Sequence, residues 1–384
     1  DSGLVTLLGL LDLSAAFDTV DHEVLIQRLR TSFGITGIPL AWVESFLTNR
    51  TQEVSFSGSR SVIGQLLSGV PQGSVLGPLL FLAYTAELFS IIARHGFKAH
   101  SYADDTQIYM SAPANSAPDA ARRFSDCVAD VNTWMNRNRL KLNTDKTQII
   151  WVGSRQQLAK LVSTDVTLGS TTVGSSTTVV DLGFHLDNHL TMTAHVAHLS
   201  RSCYFQLRQL RSVRRSLSTD ATISLIHAFV SSRLDYCNSL LYKISDGLLV
   251  KLQRIQNAAA RLVTGVRRWE HITPVLRRLH WLPVRSRIVF KIATVVYKCL
   301  HGLAPLYLAR HCIPLTEVHG RGHLRSAAAH KLSEPRTHTK LAGSRLFSVC
   351  GPVVWNGLPE RLRNHGLSLN AFRRELKTEL FKEL

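Results

Sequence analysis

The sequence contains few cysteines, and their spacing argues against a disulfide framework or a structural zinc site. Its six cysteines are scattered along 384 residues, and no two of them are separated by the roughly two to four residues typical of zinc ligands. Cys299 with His301, and His311 with Cys312, are too close in sequence for that pattern. Scattered cysteines favour a reduced, intracellular protein in which the thiols fill the core.

A long hydrophobic segment is also missing. The longest uncharged apolar run, Val75–Ala86, contains Gly77 and Pro78, and it is shorter than the ~20 residues that cross a bilayer. We therefore expect no membrane partner. Neither a methionine nor a basic segment precedes the apolar run Leu4–Leu11, so we expect the sequence to be a fragment that begins inside a domain.

Acidic residues are scarce in the second half of the sequence. Residues 191–384 contain 31 Lys or Arg and 10 Asp or Glu, a net charge of +21, whereas residues 1–190 contain 14 and 17. A nearly neutral half followed by a strongly basic half favours a reaction centre joined to a module that binds nucleic acid. A solvated basic surface without a ligand is the alternative.

Hydrophobic periodicity predicts alternating strands and helices up to about residue 190 and mainly amphipathic helices after it. The predicted elements of the first part are a strand Leu4–Leu11, a helix between Asp21 and Gly34, a helix Pro39–Asn49, a hairpin Gln52–Leu67, a helix Val75–His95, two strands within Ala99–Met110, a helix Asp119–Arg137, a strand Gln148–Val152 and hairpins within Val162–Val180.

Three aspartates lie where these apolar strands are expected to end. Asp12 follows the first strand, and Asp104 and Asp105 form the tip of a hairpin. One such aspartate is most often a cap or a turn residue, but two adjacent carboxylates repel each other unless a cation lies between them. Two Mg²⁺ ions about 3.5–4 Å apart, held by carboxylates of neighbouring strands, would activate a 3′-hydroxyl and stabilise a leaving pyrophosphate.

Five segments resemble, in the family's own order, motifs A to E of reverse transcriptases. They are Leu10–Asp18 (LLDLSAAFD), Gly69–Pro78 (GVPQGSVLGP), Tyr102–Asp105 (YADD), Leu140–Thr147 (LKLNTDKT) and Leu182–Asp187 (LGFHLD). The wording resembles the LINE-type branch, the non-LTR retrotransposons, more than retroviral or telomerase enzymes. Two downstream segments, Asp235–Tyr242 and Gly351–Pro359, also resemble regions that follow the polymerase in these elements.

The resemblance implies an α+β fold. A reverse-transcriptase palm, with an antiparallel sheet and helices on one face, is expected over residues 1–190. A helical thumb over residues 191–245 and a basic, mainly helical C-terminal domain over residues 246–384 would follow. The fingers motifs that grip the triphosphate and the endonuclease usually encoded upstream are missing, so this chain alone is expected to bind nucleic acid without extending a primer.

Residue roles are implied by the same resemblance. Asp12 and Asp104 would be metal ligands and Asp105 the adjoining, less direct ligand, with two Mg²⁺ ions as cofactor and Mn²⁺ as an alternative metal. Lys146 matches the motif D lysine that protonates pyrophosphate, which is a general-acid role. An exposed lysine without a function is the alternative for Lys146.

Four further residues match substrate-binding positions of the family. Phe17 would exclude a ribose 2′-hydroxyl, although it could instead fill the core. Gln72 and Gly73 would contact the template–nucleotide pair, although Pro71 and Gly73 would also give a plain turn. Tyr102 precedes the two motif C aspartates at the same site.

Two basic stripes are predicted on helices of the second half. In the segments Arg201–Leu217 and Leu248–Val263, apolar residues recur on one face and cations on another. Such stripes often serve only solubility, but within a region of this charge they favour contacts to nucleic-acid phosphates. The cations are Arg208, Arg211, Arg215, Lys251, Arg254 and Arg261.

The function implied is RNA-templated DNA synthesis with dNTPs, an RNA template and a DNA primer or target. Such a protein would act in the nucleus after a cytoplasmic ribonucleoprotein stage. Two alternatives stay open. One is an inactive retroelement remnant that binds nucleic acid, and the other is a palm enzyme of the intron-encoded maturase kind.

Overall fold

The computed structural model describes residues 3–161, 165–168, 171–319, 329–337, 343–364 and 366–382. The chain divides into two compact units. We call them the N-terminal unit (Ser2–Gly183 with Asp187–His189) and the C-terminal unit (Phe184–Leu186 with Leu190–Leu384). The predicted mixture of helices and antiparallel strands is confirmed. Residues 162–164 and 169–170, where hairpins were predicted, lie outside the described residues.

The strands are short except for three long ones in the N-terminal unit. They are Leu4–Ser14 (β1), Arg50–Gln52 (β2), Ser55–Phe56 (β3), Ser59–Arg60 (β4), Gly64–Leu66 (β5), Lys98–Tyr102 (β6), Asp105–Pro113 (β7), Lys141–Val152 (β8), Val166–Leu168 (β9), Thr171–Val173 (β10), Thr178–Asp181 (β11) and Phe184–Asp187 (β12).

Helices occur in both units and dominate the second. They are His22–Thr31 (α1), Gly37–Leu47 (α2), Leu76–Thr85 (α3), Leu88–Arg94 (α4), Ala117–Arg137 (α5), Arg155–Leu158 (α6), Thr193–Val213 (α7), Thr219–Ile226 (α8), Ser232–Asp235 (α9), Asp246–Thr264 (α10), Thr273–Arg278 (α11), Val284–Leu300 (α12), Leu306–Ala309 (α13), Phe347–Asn356 (α14), Glu360–Arg363 (α15) and Leu369–Lys382 (α16).

The N-terminal unit is organised around a four-stranded sheet with the strand order β6-β7-β1-β8. All neighbouring strands are antiparallel. Along β1 buried residues alternate with partly exposed ones, so that Leu7 and Leu11 face the core while Leu10 and Asp12 face the other way. Helix α5 packs on the core side, where Gly9 leaves room for the Phe124 ring. A Cβ at Gly9 would lie 2.2 Å from that ring.

The predicted helix Val75–His95 is interrupted at residues 86–87, which separates α3 from α4. The buried guanidinium of Arg28 donates to the carbonyl of Tyr84 and, at 2.9 Å, to the carboxylate of Glu87. That carbonyl would otherwise accept a hydrogen bond from the residue four positions later in a continuous helix. A long-range contact therefore competes with the local helical pattern.

Helices α3 and α4 together span 19 residues, Leu76–Arg94, and match a membrane-spanning helix in length and composition. The core helix of a globular protein passes the same test, and much of this segment is packed into the hydrophobic core of the N-terminal unit. The core residues from the segment are Leu80, Phe81, Tyr84, Leu88, Ile91 and Ile92.

The C-terminal unit has one continuous hydrophobic core. This core extends from Phe184 to Leu380 and includes the large side chains of Trp355 and Phe372. Residues 191–245 and 246–384 contribute to the same core and lie in the same compact unit. Their division into a thumb and a C-terminal domain stays a prediction.

Candidate active site

Asp12 and Asp105 occupy neighbouring positions on adjacent strands. The pairing of β1 with β7 places Leu11 opposite Thr106, so the two aspartates are the next residues along their strands. Asp12 does not end its strand as predicted, because β1 continues to Ser14. Backbone register, rather than any direct side-chain contact, brings these carboxylates to one part of the sheet.

Asp104 lies in the tight turn that joins β6 to β7. Tyr102 pairs with Asp105, which leaves Ala103 and Asp104 as the turn. Ala103 has a φ of +55°, the left-handed conformation that two-residue hairpin turns require. The predicted hairpin tip is confirmed, and it presents Asp104 directly beside Asp105.

A bulge in β8 brings Lys146 to Asp12. Leu10 pairs with Gln148, and Asp12 pairs with Asn143, so the intervening residues of β8 lie opposite a single residue of β1. The Nζ of Lys146 consequently lies 3.6 Å from the Oδ2 of Asp12. The sequence identified Lys146 as a site residue but did not predict its ion pair with Asp12, because the pair depends on this shift in register.

The electrostatics of the site are dominated by negative charge. The Oδ2 of Asp12 is buried and accepts no hydrogen bond. Partial burial raises the pKa of Asp105, and the negative charges of Asp104, Asp12 and Asp181 raise that pKa further. The carboxylates are therefore close enough to oppose one another's ionisation.

Asp181 is a fourth carboxylate of this region, and the sequence-based reasoning missed it. It ends β11, and its Oδ1 accepts a hydrogen bond of 2.7 Å from the Nε2 of Gln107 on β7. Burial raises the pKa of Asp181, while the hydrogen bond from Gln107 partly lowers it. No local pattern distinguishes this aspartate, because only the folded sheet brings it near Asp105.

These side chains fit a divalent cation in their chemistry. Carboxylate oxygens are the ligands that Mg²⁺ prefers, and a cation would relieve both the unpartnered oxygen of Asp12 and the repulsion that raises the pKa of Asp105. Among the described residues, however, no three His, Cys, Asp or Glu side chains are already close enough to hold a metal ion. Side-chain rearrangement would therefore have to accompany metal binding.

The segments that resemble motifs A and B are joined through their backbones. The amide of Gly69 donates to the carbonyl of Val20, and the amide of Val70 donates to the carbonyl of Phe17, both at 2.8 Å. Gly69 has a φ of +91°, and a Cβ there would lie 3.0 Å from backbone atoms of Phe17 and Asp18. This junction thus requires glycine for its conformation and also for its close backbone approach.

Gln72 contributes a side-chain bond to the same junction. Its Nε2 donates to the Oδ1 of Asp18 at 3.0 Å, so Asp18 is a second residue whose role the sequence did not assign. Gly73 follows with a φ of +78° and open space around its Cα. A cavity of about 860 Å³ adjoins Gln72 and is lined on another side by His22 and Arg50.

Phe17 and Tyr102 differ in their exposure. The Phe17 ring stacks on Phe81 with centroids 4.9 Å apart, so its predicted alternative role in packing is observed, and the ring remains partly exposed. Tyr102 is 66% exposed and is free to contact a ligand.

The predicted basic stripes fall in the C-terminal unit with one correction. Helix α7 begins earlier than predicted, at Thr193, and Arg215 lies in the 3-10 turn after it. The exposed cations are Arg208, Arg211, Arg215, Lys251 and Arg254. Arg261 is instead half-buried, and its guanidinium donates to the carbonyls of Arg267, Arg268 and Glu270. Arg261 therefore holds the end of the following loop, which the helical pattern could not reveal.

Comparisons with known proteins give a consistent picture. The family model "Reverse transcriptase (RNA-dependent DNA polymerase)" matches residues 2–186. The probable RNA-directed DNA polymerase from transposon BS of Drosophila melanogaster is 29% identical over 72% of this chain and 31% of its own length. The RNA-directed DNA polymerase from mobile element jockey of the same species is 24% identical over 66% of this chain and 28% of its own length.

The chain spans less than a third of the length of these relatives. One solved structure, telomerase from Candida albicans in complex with a TWJ fragment of telomeric RNA, aligns with 74% of this chain and 47% of its own at 13% identity. Its TM-score of 0.34 is too low to carry an argument about the fold.

Proposed function

This chain belongs to the reverse transcriptases of non-LTR retrotransposons, and from that premise we propose that it catalyses RNA-directed DNA synthesis. The proposed reaction adds dNTPs to the 3′-hydroxyl of a DNA primer with RNA as the template. The observation that supports it most strongly is the convergence of Asp12, Asp104, Asp105 and Lys146 at one part of a single sheet.

The three aspartates are the proposed metal ligands. Reverse transcriptases generally use divalent metal ions, and we propose two Mg²⁺ ions, replaceable by Mn²⁺, at Asp12, Asp104 and Asp105. When bound, they would supply the Lewis acidity that activates the primer 3′-hydroxyl and neutralises the leaving pyrophosphate. The protein's part is to hold the carboxylates in place by the strand register, so that little reorganisation is needed.

Lys146 is the proposed proton donor to the leaving pyrophosphate. Its ammonium pairs with Asp12 at 3.6 Å, and a cation bound by that carboxylate would weaken the pair. Lys146 would then be free to turn toward the phosphates. The lysine and the metal would thus compete for one carboxylate, which couples metal binding to the availability of the acid.

Substrate selection is assigned to the junction of the two loops. We propose that Phe17 blocks a ribose 2′-hydroxyl, that Gln72 and Gly73 contact the template–nucleotide pair, and that Tyr102 contacts the substrate near the aspartates. The bond from Gln72 to Asp18 would hold the amide in position. Stacking of Phe17 on Phe81 would keep the blocking ring from rotating away.

The C-terminal unit is proposed to hold the nucleic acid by its phosphates through the exposed cations of α7 and α10, with Arg261 acting indirectly. Action in the nucleus, after a cytoplasmic ribonucleoprotein stage, is part of the same proposal.

Two measurements on the full chain test the proposal. The first is Mg²⁺-dependent extension of an oligo(dT) primer on a poly(rA) template. The second is Mn²⁺ binding followed by electron paramagnetic resonance, for which extension is not required. We expect Asp12→Asn to weaken Mn²⁺ binding, while Asp126→Asn, an exposed aspartate on α5, should bind as the wild type does. Equal Mn²⁺ binding by all three proteins would contradict the metal assignment.

An inactive remnant that binds nucleic acid is the second candidate function. One observation favours it: the described residues contain no preformed set of three metal-ligating side chains. RNA binding by the wild type with neither primer extension nor saturable Mn²⁺ binding would support this alternative. Saturable Mn²⁺ binding that depends on Asp12 would exclude it.

A further inference from the structure

The C-terminal unit contains a second candidate site, a cavity of about 620 Å³ where α12 and α16 meet. Most of the polar groups that line it are cations. Arg287 and Lys291 lie one turn apart on α12, and Arg373 and Lys377 lie one turn apart on α16, with Arg374 beside them. None of these residues belongs to the stripes on α7 and α10.

Most of this positive charge is uncompensated. Arg287 is paired with Asp235, and its Nε donates to the Oδ1 of that carboxylate at 2.8 Å. Within the described part of the chain, no carboxylate forms an ion pair with Lys291, Arg374 or the remaining two cations. Burial lowers the pKa of Lys377, and the charge of Arg287 lowers it further. A bound anion would reverse this unfavourable clustering.

A buried amide marks the wall of the same cavity. Asn238 is only 3% exposed, and its Nδ2 donates to the Oδ1 of Asp235 at 3.4 Å. Its Oδ1 is buried and has no hydrogen-bond partner. An unpaired buried acceptor is costly, so a ligand that fits here should offer a hydrogen-bond donor as well as negative charge.

We propose that this cavity binds a nucleotide unit of single-stranded RNA. The phosphates would lie against Lys291 and the cations of α16, and the ribose 2′-hydroxyl would donate to the Oδ1 of Asn238. RNA supplies the anion and the donor in one repeating unit, whereas DNA lacks the 2′-hydroxyl. The volume is that of a typical small-ligand pocket, which suits an unpaired nucleotide better than a duplex.

The proposal extends the proposed function, since RNA is the expected template, and its test separates the two. Binding of a fluorescent 12-nucleotide single-stranded RNA is measured by anisotropy in EDTA without dNTPs. The test variant is Lys291→Gln with Arg374→Gln, two exposed cations on different helices. The control variant is Arg155→Gln with Lys160→Gln, which removes two exposed cations of the N-terminal unit.

The test variant should bind RNA ~10-fold more weakly than the control variant. The slope of log affinity against log salt should fall by ~1.4, at ~0.7 per lost phosphate contact on a single strand. Binding that is present but equal in the two variants would overturn the cavity assignment while leaving template binding by the chain intact. Absence of RNA binding by the wild type would overturn both this inference and the RNA partner of the proposed function.

Chemical variants of the ligand test the role of Asn238 without altering the protein. A 2′-O-methyl RNA of the same sequence keeps every phosphate but cannot donate from the 2′ position. We expect it to bind the wild type ~3–10-fold more weakly, which is the effect of one hydrogen bond, with an unchanged salt slope. Equal binding of the two oligonucleotides would contradict the choice of RNA. Complete displacement of the RNA by 10 mM inorganic phosphate would identify a free-anion site instead.

Discussion

The N-terminal unit gathers carboxylates on a sheet, whereas the C-terminal unit gathers cations on helices. In the first, Asp12, Asp104 and Asp105 come from two segments far apart in sequence, and strand pairing brings them together. In the second, cations such as Arg208 and Arg211 recur along a single helix. Both clusters carry repulsion that a ligand of opposite charge would relieve, but the first needs a small cation and the second an extended anion.

The largest expected effect concerns the acidic cluster. In any form of the chain that extends a primer, Asp104→Asn should lower the rate by at least ~10²-fold, because charge that stabilises the transition state is lost. Single-turnover extension measures the chemical step, and Asp126→Asn is the matched control on α5. A rate within a few-fold of the wild type would remove Asp104 from the catalytic assignment.

Phe17→Val tests whether the aromatic ring selects the sugar. The smaller side chain should raise ribonucleotide use relative to deoxyribonucleotide use by ~10²-fold, which is about what an apolar wall achieves against a hydroxyl. The substitution should also destabilise the N-terminal unit, because the stacking on Phe81 is lost. Phe33→Val, at a 47% exposed position, is the control. Lower stability with unchanged sugar preference would make Phe17 a packing residue only.

Gly69→Ala tests the junction between the two loops against a glycine that is strained but unpacked. Gly69 and Gly58 both have positive φ, but only at Gly69 would a Cβ press on backbone atoms, at 3.0 Å. We expect Gly58→Ala to cost about 1 kcal/mol and Gly69→Ala about 2–3 kcal/mol. Urea denaturation of the two variants gives the difference directly. Equal costs would show that the close backbone approach is readily relaxed.

A smaller, pH-dependent effect is expected in the C-terminal unit. Burial, and then the neighbouring His185 and His198, lower the pKa of His195 to about 4. An unfolded histidine titrates near 6.5, so between about pH 6.5 and 4 the unfolded chain binds the extra proton and stability falls as the pH falls. The loss should approach about 2–3 kcal/mol at pH 4.

Replacing the imidazole isolates this effect. His195→Gln should flatten the dependence of the unfolding midpoint on pH, whatever its stability at pH 7, because the titrating group is gone. His189→Gln, at an exposed position of the N-terminal unit, should leave the dependence unchanged. A wild-type profile that is already flat between pH 7 and 4 would refute the low pKa of His195.

Local pattern predicted most elements because it records which face of each element is buried. The helix after Asp21 begins as expected, with the Asp21 side chain accepting from the Val24 amide. The hairpin at Tyr102–Asp105 was also predicted. The interruption at residues 86–87 was not, because it depends on Arg28 reaching Tyr84 and Glu87 from another helix.

The sequence by itself determined the positions of the aspartates, the glycines at tight turns and the amphipathic stripes, since each is set by neighbours within a few residues. Only the tertiary structure decided that Lys146 pairs with Asp12, that Asp181 joins the acidic cluster, and that Arg261 is occupied by its own loop. It also decided that cations of α12 and α16 share one cavity with Asn238. The physical reason is that charge acts through space, and distance in space is set by strand register and helix packing.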